Sequence, residues 1–307
     1  MLVVTDISGA KAVGKARAKL NLCLHLRGIR EDGFHLLESL VTPIELADKV
    51  SIELRSQPGF IIRCEGFPEL ENTSNLAVKA AAWYSKTTGV PPFGATIELT
   101  KNIPISAGLA GGSSDAACVL HSLQELFKHP ISDTELCKKS VELGADVPIC
   151  FDGRCRWVSG IGDVLDESVE LEPFAILLAN PGWGVATSFI YEKARNRRLT
   201  KPGVGGRKTA RFLSRAEVIG LLQNDLETVT FTEFDGLFQM KSALREESAE
   251  GVLMTGSGPT LFAIFATREQ ADAAKAKLIP RFPAWTFWVT SNSNFASEEG
   301  LPCKSPK

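Results

Sequence analysis

One segment, Pro104-Ile-Ser-Ala-Gly-Leu-Ala-Gly-Gly-Ser-Ser-Asp115, constrains this chain more than any other. Its glycines lead directly into Ala116, Leu120, Leu123 and Phe127, which recur at i, i+4, i+7 and i+11. That spacing makes one apolar helix face and predicts a helix from about Ser114 to Lys128. A glycine turn ending at a helix start lets main-chain N–H groups crowd around an anion, where unpaired donors and the helix dipole favour negative charge. Ser113 and Ser114 can add hydroxyls. Residues Pro104, Ile105, Ser106, Ala107, Gly108, Leu109, Ala110, Gly111, Gly112, Ser113 and Ser114 are therefore the candidate phosphate cradle. An ordinary glycine-rich turn before a helix would carry the same residues. The segment lacks the G-x-x-x-x-G-K-[ST] pattern of a P-loop and also lacks G-x-G-x-x-G. Asp133, the acid about 20 residues further on, opens a helix instead of ending a strand, so a dinucleotide site fits poorly.

Charge and composition exclude several alternatives. Lys plus Arg number 34 and Asp plus Glu 36, a net charge of −2, so the basic excess of a sequence-independent nucleic-acid binder is missing. The longest apolar runs, Phe174–Ala179 and Leu261–Ala266, suit buried strands and fall far short of about 18–20 residues for a membrane span. Asp6 interrupts the short apolar start, against a signal peptide. The seven cysteines include no Cys-x-x-Cys pair, which disfavours a zinc site; free thiols in a reducing cytoplasm are the simpler expectation.

Along the chain, Ala18, Leu20, Leu22, Leu24 and Leu26 alternate with Lys19, Asn21, Cys23 and His25. Period two predicts a half-buried strand with Lys19 and Asn21 as neighbours on its other face. Further strands are expected at Lys49–Leu54, Gly59–Cys64, Ala95–Thr100, Arg156–Ser159 and Phe174–Ala179. Helices are expected at Leu76–Lys86, Thr187–Arg195, Ser214–Gln223 and Phe234–Glu247. A capping box, Ser132-Asp-Thr-Glu135, opens another helix that runs to about Leu143, and Gly144 stops it, leaving Asp146 on a short turn. The end is expected as strand Gly251–Thr255, glycine turn Thr255-Gly-Ser-Gly-Pro259, strand Thr260–Ala266, helix Arg268–Leu278 and strand Trp285–Thr290. Lys193 to Arg215 holds nine basic residues and no acid, a solvated loop or insertion that is also open to an anionic substrate. Strands and helices without strict βαβ alternation give an α+β fold. The expected division is 1–170 and 171–307.

Taken together and in order, Ala18-Lys-Leu-Asn-Leu22, the Pro104–Asp115 loop and Thr255-Gly-Ser-Gly-Pro259 resemble the GHMP small-molecule kinases. The segments Arg30-Glu-Asp-Gly-Phe-His35, Gly144-Ala-Asp-Val-Pro148 and Asn180-Pro-Gly182 are most similar to members acting on a cytidine diphosphate-linked sugar alcohol in the non-mevalonate isoprenoid pathway. These anchors span residues 18 to 259. The resemblance implies an N-terminal α/β domain, a ferredoxin-like C-terminal domain, ATP and Mg²⁺. It makes Asp146 the base, with Lys19 beside it keeping the carboxylate ionised and neutralising the γ-phosphate. It puts His35 at the cytosine as a hydrogen-bond partner, with Phe34 and Tyr191 stacking on the ring. Asn21 and Thr187 become substrate residues, and Asn75 lies near the adenine, where it can equally be a helix N-cap. Phe34 stands where a tyrosine is usual, which preserves stacking. Ala110 replaces a common glycine, which matters only if its φ is positive. Homoserine- or mevalonate-type kinases and a catalytically silent nucleotide-binding paralogue are the alternatives. The residues mark no ligands for Mg²⁺.

Overall fold

A computed structural model describes residues 3–8, 10–197, 199 and 211–292. The chain forms strands β1 (Val3–Ser8), β2 (Lys11–Ile29), β3 (His35–Arg55), β4 (Gly59–Cys64), β5 (Gly94–Thr100), β6 (Arg156–Ser159) and β7 (Val164–Ser168). It continues through β8 (Glu170–Leu171), β9 (Ala175–Asn180), β10 (Phe212–Leu213), β11 (Gln223–Asn224), β12 (Gly251–Met254), β13 (Leu261–Phe265) and β14 (Thr286–Ser291). The helices are α1 (Leu76–Thr88), α2 (Gly111–Leu126), α3 (Asp133–Lys139), α4 (Val147–Asp152), α5 (Thr187–Asn196), α6 (Arg215–Leu221), α7 (Glu227–Glu233), α8 (Leu237–Glu246) and α9 (Arg268–Arg281).

The first sheet runs β1-β2-β3-β5-β4, with β6 and then β7 beyond β3 and β11 alongside β2. Val50, Ile52 and Ile97 of this sheet share a core with Ala77 and Ala81 of α1, Leu120 and Leu123 of α2 and Ile149 of α4. The second sheet is antiparallel in the order β12-β13-β9-β14. Its strands follow one another as β9, helices, β12, β13, α9 and β14, which is the ferredoxin-like arrangement. Both central strands are buried on both faces. Ile176, Leu178, Phe262 and Ile264 meet Ala18, Leu20 and Leu22 of β2, while Leu177, Ala179, Leu261 and Phe265 meet α8 and α9. The continuous apolar runs read from the sequence follow from this double burial.

Several elements differ from expectation, each for a physical reason. β2 is covered on its polar face as well: Lys19 and Asn21 are only 7% and 6% exposed. The glycine loop and the Thr255 turn lie over that face, through Lys19 N–H to Leu109 O (3.1 Å) and Asn21 N–H to Thr255 Oγ1 (3.0 Å). Register shifts at Arg17/Lys19 and Asn21/Cys23 flank the pair, and such bulges re-aim side chains. His35 is the first residue of β3, a strand much longer than the expected Lys49–Leu54. Asp146 is the N-cap of α4, a helix not expected after the turn. Only half of the Ser132 capping box forms: its side chain accepts from Glu135 N–H at 3.2 Å. The helix expected at Phe234–Glu247 shortens to α8, and α7 precedes it. No helix among the described residues is long and apolar enough to cross a membrane. All six cysteines among the described residues are free; Cys303, and residues 198 and 200–210 of the basic stretch, lie outside them.

Candidate active site

A cleft of about 1170 Å³ opens along β2 and β3 of the first sheet. The β2 bulges, the glycine loop, the N-terminus of α4, the start of α5 and the β12–β13 turn all contribute to its walls. Lys19, Asn21, Phe34, His35, Asn75, Asp146, Thr187 and Tyr191 line it, as do Pro104–Gly108 and Ala110–Ser113 of the loop. Leu109 and Ser114 do not. Leu109 is buried in the core between the sheets. Ser114 donates its hydroxyl to Arg17 O at 2.6 Å, away from the cleft. Residues 256 and 257 of the glycine turn also line the cleft, and Ser257 meets Thr187, hydroxyl to hydroxyl, at 3.1 Å. A turn residue's side-chain role is visible only once the two strands around it are placed.

The loop backbone has the geometry of an anion site. Ser106, Gly108 and Ala110 have φ of 52°, 77° and 56°, and the residues between them are not left-handed. Alternating hands turn successive N–H groups toward one concavity, a nest for anions. Gly108 cannot be replaced without moving backbone: a Cβ there would lie 2.4 Å from Thr255 O. Ala110 is the N-cap of α2 and has the left-handed φ that makes its methyl costly. Ala110→Gly therefore raises stability by about 0.5–1 kcal/mol, the strain relieved less the added chain entropy of glycine. A higher denaturant midpoint at unchanged slope checks this.

Lys19 does not pair with Asp146. Its ammonium donates to Asn21 Oδ1 (2.6 Å) and Gly108 O (3.2 Å), which ties it to the loop. Asn21 is held in turn by donating from Nδ2 to Ser39 Oγ at 2.8 Å. Asp146 caps no N–H with its side chain, so its carboxylate is left to the cleft. The buried run Val147–Phe151 anchors α4 beneath it. Both charges reach Cys150: burial pushes that thiol up to about 12, Asp146 adds to the rise, and the Ser114 hydroxyl and Lys19 oppose it. Burial, and then Asp146, likewise push the Tyr191 phenol above its ordinary value.

At the far end of the cleft, His35 is 5% exposed and lies 5.3 Å from the Tyr191 ring, centroid to centroid. Its Nε2 pairs with the Tyr191 carbonyl at 3.0 Å. A carbonyl only accepts, so Nε2 carries the hydrogen. The buried Nδ1 has no partner and is left with its lone pair. Burial lowers the His35 pKa, the Tyr191 carbonyl opposes this and Arg195 adds to it. Phe34 is 57% exposed, with Arg30 5.5 Å from its ring centroid. Asn75 is an N-cap, accepting from Ala77 N–H and donating to Leu70 O, both at 3.0 Å. One N–H and one lone pair of its amide are used within the protein, and the residue still lines the cleft.

Beneath the loop lies a cluster that sequence reasoning missed. Lys101 pairs with Asp48 and Asp115, three side chains at most 5% exposed. Its partners stand 53 and 14 residues away; Asp115 closes the glycine-loop motif, but nothing local ties it to Lys101 or Asp48.

The family model "GHMP kinases N terminal domain" matches residues 75–154, and "GHMP kinases C terminal" matches residues 210–284. The 4-diphosphocytidyl-2-C-methyl-D-erythritol kinase of Syntrophotalea carbinolica is 39% identical over 267 residues, 87% of this chain and 94% of that one. The protein of the same name from Syntrophus aciditrophicus is 41% identical over 261 residues, 85% and 92% of the two chains. A crystal structure of 4-(cytidine 5'-diphospho)-2C-methyl-D-erythritol kinase superposes with a TM-score of 0.76 at 32% identity, covering 92% of this chain and 100% of that one. A homoserine kinase from Cytophaga hutchinsonii shares the fold at 18% identity and a TM-score of 0.69, covering 95% of this chain and 97% of that one.

Proposed function

The chain belongs to the GHMP kinase family, and within it we propose that it transfers the γ-phosphoryl group of ATP to the 2-hydroxyl of 4-diphosphocytidyl-2-C-methyl-D-erythritol. Identity of 39–41% over 85–87% of the chain to kinases of that name supports the substrate more strongly than any single side chain. The observation that carries the chemistry is the common cleft: the anion nest, the Lys19 ammonium and the Asp146 carboxylate all open onto it. We read residues 1–170 as the half that carries the glycine loop and 171–307 as the ferredoxin-like half.

Phosphoryl transfer asks mainly for positioning and for stabilisation of charge on the phosphoryl oxygens. The N–H groups of the loop and the start of α2 receive the phosphates. Lys19, already tied to the loop by Gly108 O, faces the transferred group. Asp146 accepts the proton of the acceptor hydroxyl as its oxygen bonds to phosphorus and the bond to the β–γ bridging oxygen breaks, releasing ADP. Mg²⁺, when bound, offsets phosphate charge. Among the described residues no cluster of three or more His, Cys, Asp or Glu side chains could hold a metal ion.

The unpartnered Nδ1 of His35 is an acceptor for the amino group of cytosine, with Phe34 and Tyr191 as ring surfaces worth about 1–3 kcal/mol for a stacked base. Two consequences can be measured. His35→Ala raises the KM for the cytidyl substrate and leaves the KM for ATP near wild type. In the wild-type enzyme the cytidyl KM climbs as pH falls through the lowered His35 pKa, because protonation puts a hydrogen on Nδ1 and removes the acceptor; above that pKa the contact is intact. A pH-independent cytidyl KM, or an ATP defect in the variant, removes His35 from the base site.

The deciding assay follows ADP release with 4-diphosphocytidyl-2-C-methyl-D-erythritol, homoserine and mevalonate as rival acceptors. Turnover of either rival without turnover of the cytidyl compound overturns the assignment. ATP binding without turnover of any acceptor marks a silent paralogue.

A further inference from the structure

We propose that Asp115 takes up a proton when nucleotide phosphates occupy the glycine loop, cancelling the extra negative charge that two carboxylates and one ammonium leave behind that loop. The inference rests on the nucleotide-binding reading above and adds a proton-linked positioning residue to it.

Lys101, Asp48 and Asp115 form a closed group whose side chains are 5%, 0% and 4% exposed. One ammonium between two ionised carboxylates leaves a net charge of −1. That group stands behind the anion site: a Cβ on Gly111 would lie 3.5 Å from Lys101 Nζ, and both Lys101 and Asp115 line the cleft. A phosphate entering the loop therefore meets attraction from the main-chain N–H groups and repulsion from the group beneath. In a buried setting that repulsion is only weakly screened.

The two carboxylates are not equivalent. Asp48 Oδ1 accepts from Asn102 N–H (2.6 Å) and Ile103 N–H (2.8 Å), and its Oδ2 takes the Lys101 ammonium. Three donors bind it. Asp115 has only Lys101, at 2.6 Å on Oδ2, and its buried Oδ1 has no partner. A proton entering this group therefore settles on Asp115. Burial raises its pKa, Lys101 opposes this and Asp48 adds to the rise.

The other titratable groups around Asp115 do not compete for that proton. The thiols of Cys118 on α2 and Cys150 on α4 are pushed up to about 12 by burial, and burial also raises the Cys64 thiol on β4. All three stay neutral. Lys19 on β2, which reaches Cys150, is already bonded to Asn21 and Gly108. Negative phosphate charge beside Asp115 raises its pKa further, so binding draws in a proton between the free and bound values. A group serving only as a structural brace would bind the same number of protons with and without nucleotide.

Calorimetric titration of the enzyme with ADP and excess Mg²⁺, at about pH 7.5 in two buffers of different ionisation enthalpy, counts the protons. The wild type is expected to take up a measurable fraction of a proton, up to about one, and Asp115→Asn to take up none. The ADP affinity of the wild type falls as pH rises through the Asp115 range, by at most about tenfold per pH unit, and that of the variant stays flat. Equal uptake in the two proteins, or none in the wild type, overturns the proposal while leaving the nucleotide reading intact. If ADP binds neither protein, that reading fails and takes the proposal with it. Should Asp115→Asn not fold, infrared difference spectra of the wild type with and without ADP decide: a new protonated-carboxyl band supports the proposal, and its absence overturns it.

Discussion

Asp146→Asn lowers kcat by about 10²–10⁴-fold, the range ascribed to a well-placed general base, while both KM values stay close to wild type. The change is isosteric and removes only the capacity to accept a proton. The fold has little reason to respond. Asp146 is the N-cap of α4 by position, but its side chain makes no capping bond. The helix is held instead by Val147, Ile149 and Phe151, each at most 4% exposed. A stability change above about 1 kcal/mol is therefore not expected, since substitutions away from core, cap and network contacts cost little.

Single-turnover measurements at saturating ATP and acceptor separate this effect from slow product release. Equal loss in kcat and kcat/KM marks an interaction made only in the transition state. Undiminished transfer by Asp146→Asn removes the base assignment. The family membership would survive that result, since it stands on the matched domains and the full-length relatives.

What could be read from the residues alone depended on whether a feature is local. The loop was legible because a left-handed backbone and a helix start demand glycine and a small apolar period within one stretch. β9 and β13 were legible because burial on both faces leaves no polar residue to interrupt them. β3 was read only at its Lys49–Leu54 end. Pro43 falls inside it and argues against a strand, yet Pro43 faces Lys19 next to a register shift, where the ladder is already interrupted. The sequence of α7, Glu-Thr-Val-Thr-Phe-Thr-Glu, is rich in β-branched residues that disfavour a helix. Burial of Val229 and Thr230 overrides that preference. For Lys19 and Asn21, shared periodicity put both on one face, but what covers that face comes from residues 108–109 and 255, which no local pattern connects to β2. The Lys101 group is the extreme case: its significance exists only in three dimensions.

Lys19→Met is expected to lower kcat by about 10²–10³-fold, comparable to removing one preorganised donor from a developing oxyanion. Methionine keeps an unbranched stem in the same channel, so the packing between Leu20 and the loop is preserved. The lost charge has two separable consequences. In the ground state, Asn21 Oδ1 and Gly108 O lose the ammonium that joined them at 2.6 and 3.2 Å. Gly108 O keeps the Thr255 hydroxyl at 3.5 Å, but a buried acceptor left without a donor, as Asn21 Oδ1 is, costs about 1–3 kcal/mol, which appears as a lower unfolding midpoint. In the transition state, charge spreading over the phosphoryl oxygens loses its cation, which appears in kcat. If Lys19 served only to fasten the loop to β2, the defect would lie mainly in the KM for ATP, and Lys19→Arg would partly restore it by donating to the same carbonyl. If Lys19 acts on the transferred group, kcat falls with the KM for ATP nearly unchanged. Arginine then fails to rescue, because a planar guanidinium that reaches the Gly108 carbonyl spreads its charge and does not present a compact ammonium to the transferred group. The KM-against-kcat split in the two variants therefore distinguishes a fastener from a charge that acts in catalysis.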